Sequence, residues 1–237
     1  IYFLIMKFTK ALIKGKFVRR YKRFFVDVKV NKEIIVAHCP NTGSMMGLLE
    51  ENNDAWVSTN NNPKRKLKFT LQILKTSQNL VGVNTHLANK LVNEGLYNNN
   101  FQEFKNLKKI TPEVFFNKET RFDFLIEKNN DKYFIEVKNV TLMRDGKVSE
   151  FPDSVTTRGS KHIKTLVEAA EKGYKCYVLF LVQIANCKYF KIAKDIDKEY
   201  YQNYIIAKKS GVKFIAYNCK ISSKEIIVDK KIKILDE

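Results

Sequence analysis

The stretch "RFDFLIEKNNDKYFIEVKNVTL", residues 121–142, reads as two apolar strands joined by a turn, with charge inside both strands. Asp123 interrupts the first strand; Glu136 and Lys138 interrupt the second. Side chains alternate between the two faces of a strand, so Phe134, Glu136, Lys138 and Val140 share one face. Asn129, Asn130 and Asp131 supply turn chemistry. With Asn129-Asn130 as a two-residue hairpin loop, Lys128 faces Asp131 and Asp123 faces Glu136. With the loop at Asn130-Asp131, Asp123 faces Lys138 instead. Both registers bring Asp123, Glu136 and Lys138 to one face, whereas a three-residue loop would send Asp123 to the Val137 face.

A structural ion pair is the plain reading of such a cluster, but desolvation makes buried pairs poor stabilisers. Two carboxylates and one ammonium also leave excess negative charge, which burial penalises heavily. A divalent metal removes that imbalance, and a hard cation such as Mg²⁺ (or Mn²⁺) prefers carboxylate oxygens.

The rest of the chain fits a polyanion partner. It has 237 residues, with 43 Lys and Arg against 25 Asp and Glu, a net charge of +18. That length allows one large domain or two small ones, and that charge points to nucleic acid or an anionic membrane surface. No apolar run approaches the roughly 18 residues of a membrane span, and "IYFLIM" at 1–6 is too short for a signal-peptide core. A cytoplasmic protein with no membrane partner is the expectation. Cys39, Cys176, Cys187 and Cys219 form no Cys-x-x-Cys pair, so neither zinc nor disulfides are indicated.

Residues 6 to about 80 read as β structure, with runs near 16–30, 34–38, 55–59 and 66–76 separated by turn-rich segments. Short strands without helices suggest a small barrel or sandwich. Two basic clusters interleaved with aromatics lie in it, "RRYKRFF" (19–25) and "PKRKLKF" (63–69). Arg19, Arg20, Lys22, Arg23, Lys64, Arg65 and Lys66 are therefore expected to hold a strand of nucleic acid, the aromatics giving stacking surface. "HCPNTGSM" (38–45) places His38 beside Cys39, but strand neighbours point to opposite faces, and its Pro, Asn, Gly and Ser read as a tight turn.

Beyond residue 80 the pattern changes. "NTHLANKLVNEGL" (84–96) predicts a helix capped by Asn84 or Thr85, with Leu87, Ala88 and Leu91 as its apolar stripe. Glu94 falls on the same side, a carboxylate on an inner face. Helices near 159–172 and 197–210, each stopping at a glycine, alternate with strands at "CYVLFLVQI" (176–184) and "KFIAY" (213–217). That order predicts a mixed α/β sheet with right-handed crossovers. Arg158 and Lys161, at the start of the 159–172 helix, are placed to grip phosphates. His162 reads equally as a hydrogen-bonded core residue or as part of a site.

Several segments in fixed order resemble the sugar fermentation stimulation protein A family: "RRYKRF", "AHCPNTGSM", "NPKRKLKFT", "GVNTHLANKLVNEGL", "RFDFLI", "FIEVKNVTL" and "FPDSVTTRGSKHI". The resemblance runs from Met6, which it makes a candidate start. It implies an N-terminal OB-like β-barrel (1–80) followed by a PD-(D/E)XK nuclease-like mixed α/β domain (81–237). In that motif Asp123 matches the first acidic position and Glu136 and Lys138 the Glu-x-Lys. Glu94 matches the acidic residue of the preceding helix. Phe122 stands where the motif's proline would be, and Ser160 where relatives carry glutamine. The implied function is DNA binding, with DNA ahead of RNA, and a link to regulation of sugar metabolism. Asp123, Glu136 and Glu94 would hold Mg²⁺, and Lys138 would complete a phosphodiesterase site. The alternative is a DNA-binding regulator that keeps the fold without turnover; an RNA-processing protein is a third class.

Overall fold

The computed structural model describes residues 7–235. The expectations for "IYFLIM" and for a start at Met6 therefore lie outside the described residues. Strands β1 (Ile13–Tyr21), β2 (Phe25–Val30), β3 (Glu33–His38), β4 (Asp54–Thr59), β5 (Phe69–Lys75) and β6 (Leu80–Gly82) form one sheet in the order β3-β2-β1-β4-β5-β6. It closes on itself where β3 pairs with β5 in parallel, through Ala37↔Phe69 and His38↔Thr70. Closure removes the exposed edges of an open sheet. Phe17, Val26, Val28, Ala37, Ala55, Val57 and Leu71 fill the interior.

The expected strand at 16–30 is in fact a hairpin. Its turn, Lys22 to Phe24, holds two non-glycine residues in the left-handed region, Lys22 at φ 47° and Arg23 at φ 60°. Such residues carry no turn signal in sequence, and each costs on the order of 1 kcal/mol. Cross-links to neighbouring loops hold the turn, as described below.

The second sheet has nine strands. They are β7 (Lys109–Phe115), β8 (Arg121–Lys128), β9 (Asp131–Val140), β10 (Leu142–Asp145), β11 (Val148–Phe151), β12 (Lys175–Val182), β13 (Tyr189–Ile192), β14 (Lys213–Ile221) and β15 (Ile226–Ile234). Their order is β10-β11-β13-β15-β14-β12-β9-β8-β7. β9, β12 and β14 run parallel at its centre, and β8 pairs antiparallel with β9. The β8–β9 loop is Asn129-Asn130, since Lys128 pairs with Asp131 and Phe124 with Ile135. Asn129, at φ 54°, is one of the residues that tolerate this conformation.

Three helices cover the two faces. A 3₁₀ turn at Thr85–Leu87, capped by Asn84, opens α1 (Ala88–Tyr97). Leu91, Val92 and Leu96 of α1 pack with Phe124, Ile135 and Val137. On the other face α2 (Thr157–Glu171) and α3 (Lys198–Lys209) pack Ile163, Leu166, Tyr200 and Tyr204 with Phe134, Val178 and Phe180. Gly173 (φ 88°) and Gly211 (φ 91°) sit just past the last two helices, the left-handed positions that stop them.

The expected boundary at residue 80 falls at the first residue of β6, the strand that joins the two sheets. Val81 bridges Ile184 antiparallel, Gly82 N–H donates to Gln183 O (2.9 Å), and Ala185 N–H donates to Leu80 O (2.9 Å). The barrel interior and the α2–α3 side of the second sheet belong to one continuous apolar core. OB-like barrel plus mixed α/β sheet is thus the architecture found.

Candidate active site and nucleic-acid interface

Glu136 lies at the middle of β9 on the α2 face and is 4% exposed. Lys138, two residues on, shares that face and donates from Nζ to Glu136 Oε1 at 2.7 Å. The same oxygen takes a 2.6 Å bond from His162 Nδ1 on α2. Arg158 Nε lies 3.5 Å from His162 Nε2. An N–H donor there makes Nε2 the acceptor and leaves the imidazole proton on Nδ1, facing Glu136. The order Arg158–His162–Glu136 thus fixes the carboxylate's orientation. Glu136 Oε2 is buried and has no partner. Burial pushes the Glu136 carboxyl upward, but Lys138 and His162 outweigh it and hold it below the usual range.

Asp123 reaches this centre from the other side. Phe122 belongs to the α2-side core, 5.0 Å from the Phe134 ring, whereas Phe124 and Ile126 belong to the α1-side core. Side-chain alternation breaks at Asp123, and the β8–β9 pairing stops at Phe124. The Asp123 carboxylate accepts from Val137 N–H (2.7 Å) and from Asn89 Nδ2 on α1 (2.7 Å). Burial, with the Glu136 charge beside it, pushes its carboxyl up to about 6. The structure therefore brings Asp123, Glu136 and Lys138 within electrostatic reach, Asp123 held from α1 and Glu136 from α2.

Glu94 is the α1 residue expected to approach the two carboxylates; Asn89, also on α1, donates to Asp123. Glu94 is half-buried on α1, five residues on and about 140° round the helix from Asn89. Among the described residues no group of three or more His, Cys, Asp and Glu side chains is placed to hold a metal ion. Two carboxylates do fit a hard cation: both donors are oxygens, one buried oxygen is unpartnered, and one ammonium leaves negative charge over. A cavity of about 750 Å³ beside β14 and β15 shares no lining residue with this centre. Asp123 and Lys138 are both largely shielded, the Lys138 side chain being 12% exposed.

One end of the barrel meets the segments that lead into α1 and α2: Thr85 Oγ1 donates to Pro40 O at 2.6 Å, and Met45 N–H donates to Asp153 Oδ2 at 3.4 Å. The β1–β2 turn, the 39–53 loop after β3 and the 60–68 loop after β4 all lie there, the last two flanking the His38–Thr70 closure. His38 and His86, which precedes α1, have ring centres 6.5 Å apart. Burial holds the His38 imidazole below its ordinary pKa, helped by Arg65. Lys64, Arg65 and Lys66 are exposed on the 60–68 loop, and Lys22 and Arg23 on the turn. Loops at these positions carry the ligand in OB folds. Arg19 is paired with Asp27 at 2.8 Å and stacks on Tyr21, yet remains largely exposed. Lys161 is paired with Glu119 at 2.7 Å on the surface, and Arg158 is exposed at the start of α2.

Arg20, expected as a phosphate contact, has its guanidinium on backbone carbonyls. Its guanidinium donates to the carbonyls of Arg23 (3.0 Å), Asn41 (2.8 Å) and Gly43 (3.0 Å). It is a clamp between the β1–β2 turn and the 39–53 loop. That loop in turn abuts the approach to α2, where a Cβ on Gly43 would collide with the Asp153 carboxylate. Asn89, Asp153 and the clamp of Arg20 escaped the sequence, each being a polar residue whose partner is remote along the chain. Cys39, beside His38, is fully buried, bonded to Asn41 O and Met45 Sδ, and burial pushes its thiol up.

A closed OB barrel followed by a mixed sheet with a Glu-x-Lys on a central strand defines a class, the two-domain proteins that join such a barrel to a carboxylate-lysine centre. The chain belongs to the sugar fermentation stimulation protein family. Residues 86–225 match the family's model of the sugar fermentation stimulation protein RE domain, and residues 18–83 its N-terminal OB domain. A sugar fermentation stimulation protein homolog of Pelagibacter ubique is 68% identical over 231 residues, covering 98% of this chain and 100% of its own. One from Pseudoalteromonas atlantica is 42% identical over 234 residues, covering 97% and 100%. Among solved structures, Pyrococcus furiosus SfsA in complex with Ca²⁺ superposes with a TM-score of 0.87 at 24% identity, covering 99% of this chain and all of its own.

Proposed function

We propose that the protein binds nucleic acid, DNA ahead of RNA, through the loop end of its barrel and cleaves a phosphodiester at the Asp123–Glu136–Lys138 centre. The observation that carries this reading is the unpartnered, buried Glu136 Oε2 beside a second buried carboxylate, Asp123. A fold has no structural reason to keep that uncompensated charge. Asp123 and Glu136 would hold a divalent cation such as Mg²⁺ or Mn²⁺, with Glu94 a candidate third ligand from α1. When bound, the ion supplies Lewis-acid charge for the scissile phosphate. The Pyrococcus relative was solved with Ca²⁺, another hard, oxygen-seeking ion.

The chain's own residues account for the remaining steps. His162 and Arg158 keep Glu136 oriented. Lys138, tethered to Glu136 by one N–H, has two more to position an attacking water or to meet the charge that develops on the phosphate. Arg158 and Lys161 face solvent beside the centre and would take flanking phosphates. Lys22, Arg23, Lys64, Arg65 and Lys66, with Arg19, would hold the strand further out, in a salt-dependent manner.

A second reading, a DNA-binding regulator without turnover, is favoured by one observation: among the described residues no group of three or more His, Cys, Asp and Glu side chains is placed to hold a metal ion. The test is purified protein on labelled single- and double-stranded DNA and RNA with Mg²⁺, Mn²⁺ or EDTA. Cleavage with metal, abolished in Asp123→Asn and Lys138→Ala, is the expected result. Binding without cleavage under every metal condition leaves the regulator.

A further inference from the structure

Single exposed apolar side chains are ordinary on a protein surface. Phe24, Met46 and Val155, at 46%, 47% and 73% exposure, stand on three segments that are linked to one another. Phe24 is on the β1–β2 turn, Met46 on the 39–53 loop, and Val155 immediately before the cap of α2. These three segments are fastened together. Arg20 bonds Arg23 O, Asn41 O and Gly43 O, and Cys39 N–H donates to Phe24 O at 2.7 Å. Met45 N–H donates to Asp153 Oδ2 at 3.4 Å, and Gly43 has no room for a side chain against that carboxylate. Three apolar tips are therefore presented on bonded backbone, two from the barrel and one from the catalytic domain. Cations flank them, Lys22 and Arg23 on the turn and Arg158 three residues after Val155.

Charge decides what such a patch meets. The cores of protein–protein interfaces are depleted of charged residues, whereas this patch is bordered by cations in a chain of net charge +18. A ligand that is anionic outside and apolar within satisfies both features, and nucleic acid has that build once a base step is opened. We infer that Phe24, Met46 and Val155 form a wedge that packs against unstacked bases, so that the protein prefers strands with unpaired or frayed bases over intact duplex. The inference rests on the nucleic-acid reading above and adds the substrate class. Apolar wedges are used in this way against base steps, and opening costs least where pairing is already lost.

The full chain is tested in EDTA, where cleavage cannot intervene. The probes are a 20-base-pair duplex, the same duplex with a central mismatch, and the single strand, each carrying 2-aminopurine. Wild type is expected to bind the mismatched duplex and the single strand about tenfold tighter than the intact duplex, the order of one stacked base. The 2-aminopurine emission should rise on binding. Phe24→Ser/Met46→Ser/Val155→Ser should keep the wild-type affinity for intact duplex at matched salt while losing both the preference and the rise. Val155→Ser, the most exposed position alone, should lose part of each and guards against misfolding of the triple variant. Equal binding of all three probes by wild type, or a triple variant that keeps preference and rise, overturns the wedge. Self-association that the triple variant abolishes, with probe preference unchanged, assigns the patch to protein contact and also overturns it. Wild type that binds none of the probes defeats the nucleic-acid reading itself.

Discussion

The surroundings of Asp123 oppose its ionisation. Its folded pKa is raised, to about 6 from an ordinary 3.8, so the folded state holds a proton that the unfolded chain releases. Stability from this group is fully present below about pH 4 and lost as pH rises through about 6, roughly 3 kcal/mol by pH 7.5. Asp123→Asn should recover most of that loss, since an amide accepts from Val137 N–H and donates to a flipped Asn89. In EDTA the variant should therefore be the more stable protein at pH 7.5 by about 2 kcal/mol and no more stable at pH 4. Denaturant melts across pH 4–8 check this, and a variant less stable than wild type at pH 7.5 defeats it. Asp123, Glu136 and Lys138 were legible in sequence because charge inside an apolar run is costly and so informative. Asn89, which carries no charge and sits on a helix, gave no such signal.

At the scale of elements, periodicity located the three helices and the central strands, β9, β12 and β14. It missed β7, β10, β11, β13 and β15, which lie at the margins of the sheet or alternate weakly. It also merged β1 and β2, because Lys22 and Arg23 form a turn without Gly, Asn or Pro. The clamp on that turn separates two kinds of arginine. Arg20→Ala would strand three loop carbonyls and should destabilise the protein by about 2 kcal/mol. Lys64→Gln/Arg65→Gln/Lys66→Gln touches only exposed side chains and should leave the melting temperature within a degree or two. It should instead weaken nucleic-acid binding and flatten its dependence on salt by about three charges. Titrations at several salt concentrations, beside thermal melts, check both variants; equal thermal loss in the two would refute the division.

For the whole molecule, the order barrel then mixed sheet was readable from the change of pattern near residue 80, but the manner of joining was not. Strand β6 pairs with β5 on one side and meets residues 183–185 on the other, so the domains share backbone hydrogen bonds as well as core. Calorimetry should accordingly give one transition, with calorimetric and van't Hoff enthalpies equal; two resolved transitions would contradict the shared core. That seam also limits how far the two parts can move against each other. Domains joined by a flexible linker can close around a ligand like a hinged jaw. Here the line of joining carries backbone hydrogen bonds and shared core, so barrel and second sheet are expected to move as one body. The nucleic acid proposed above would then have to bend to the protein, as thread is fitted to the eye of a needle, since the protein does not close on it.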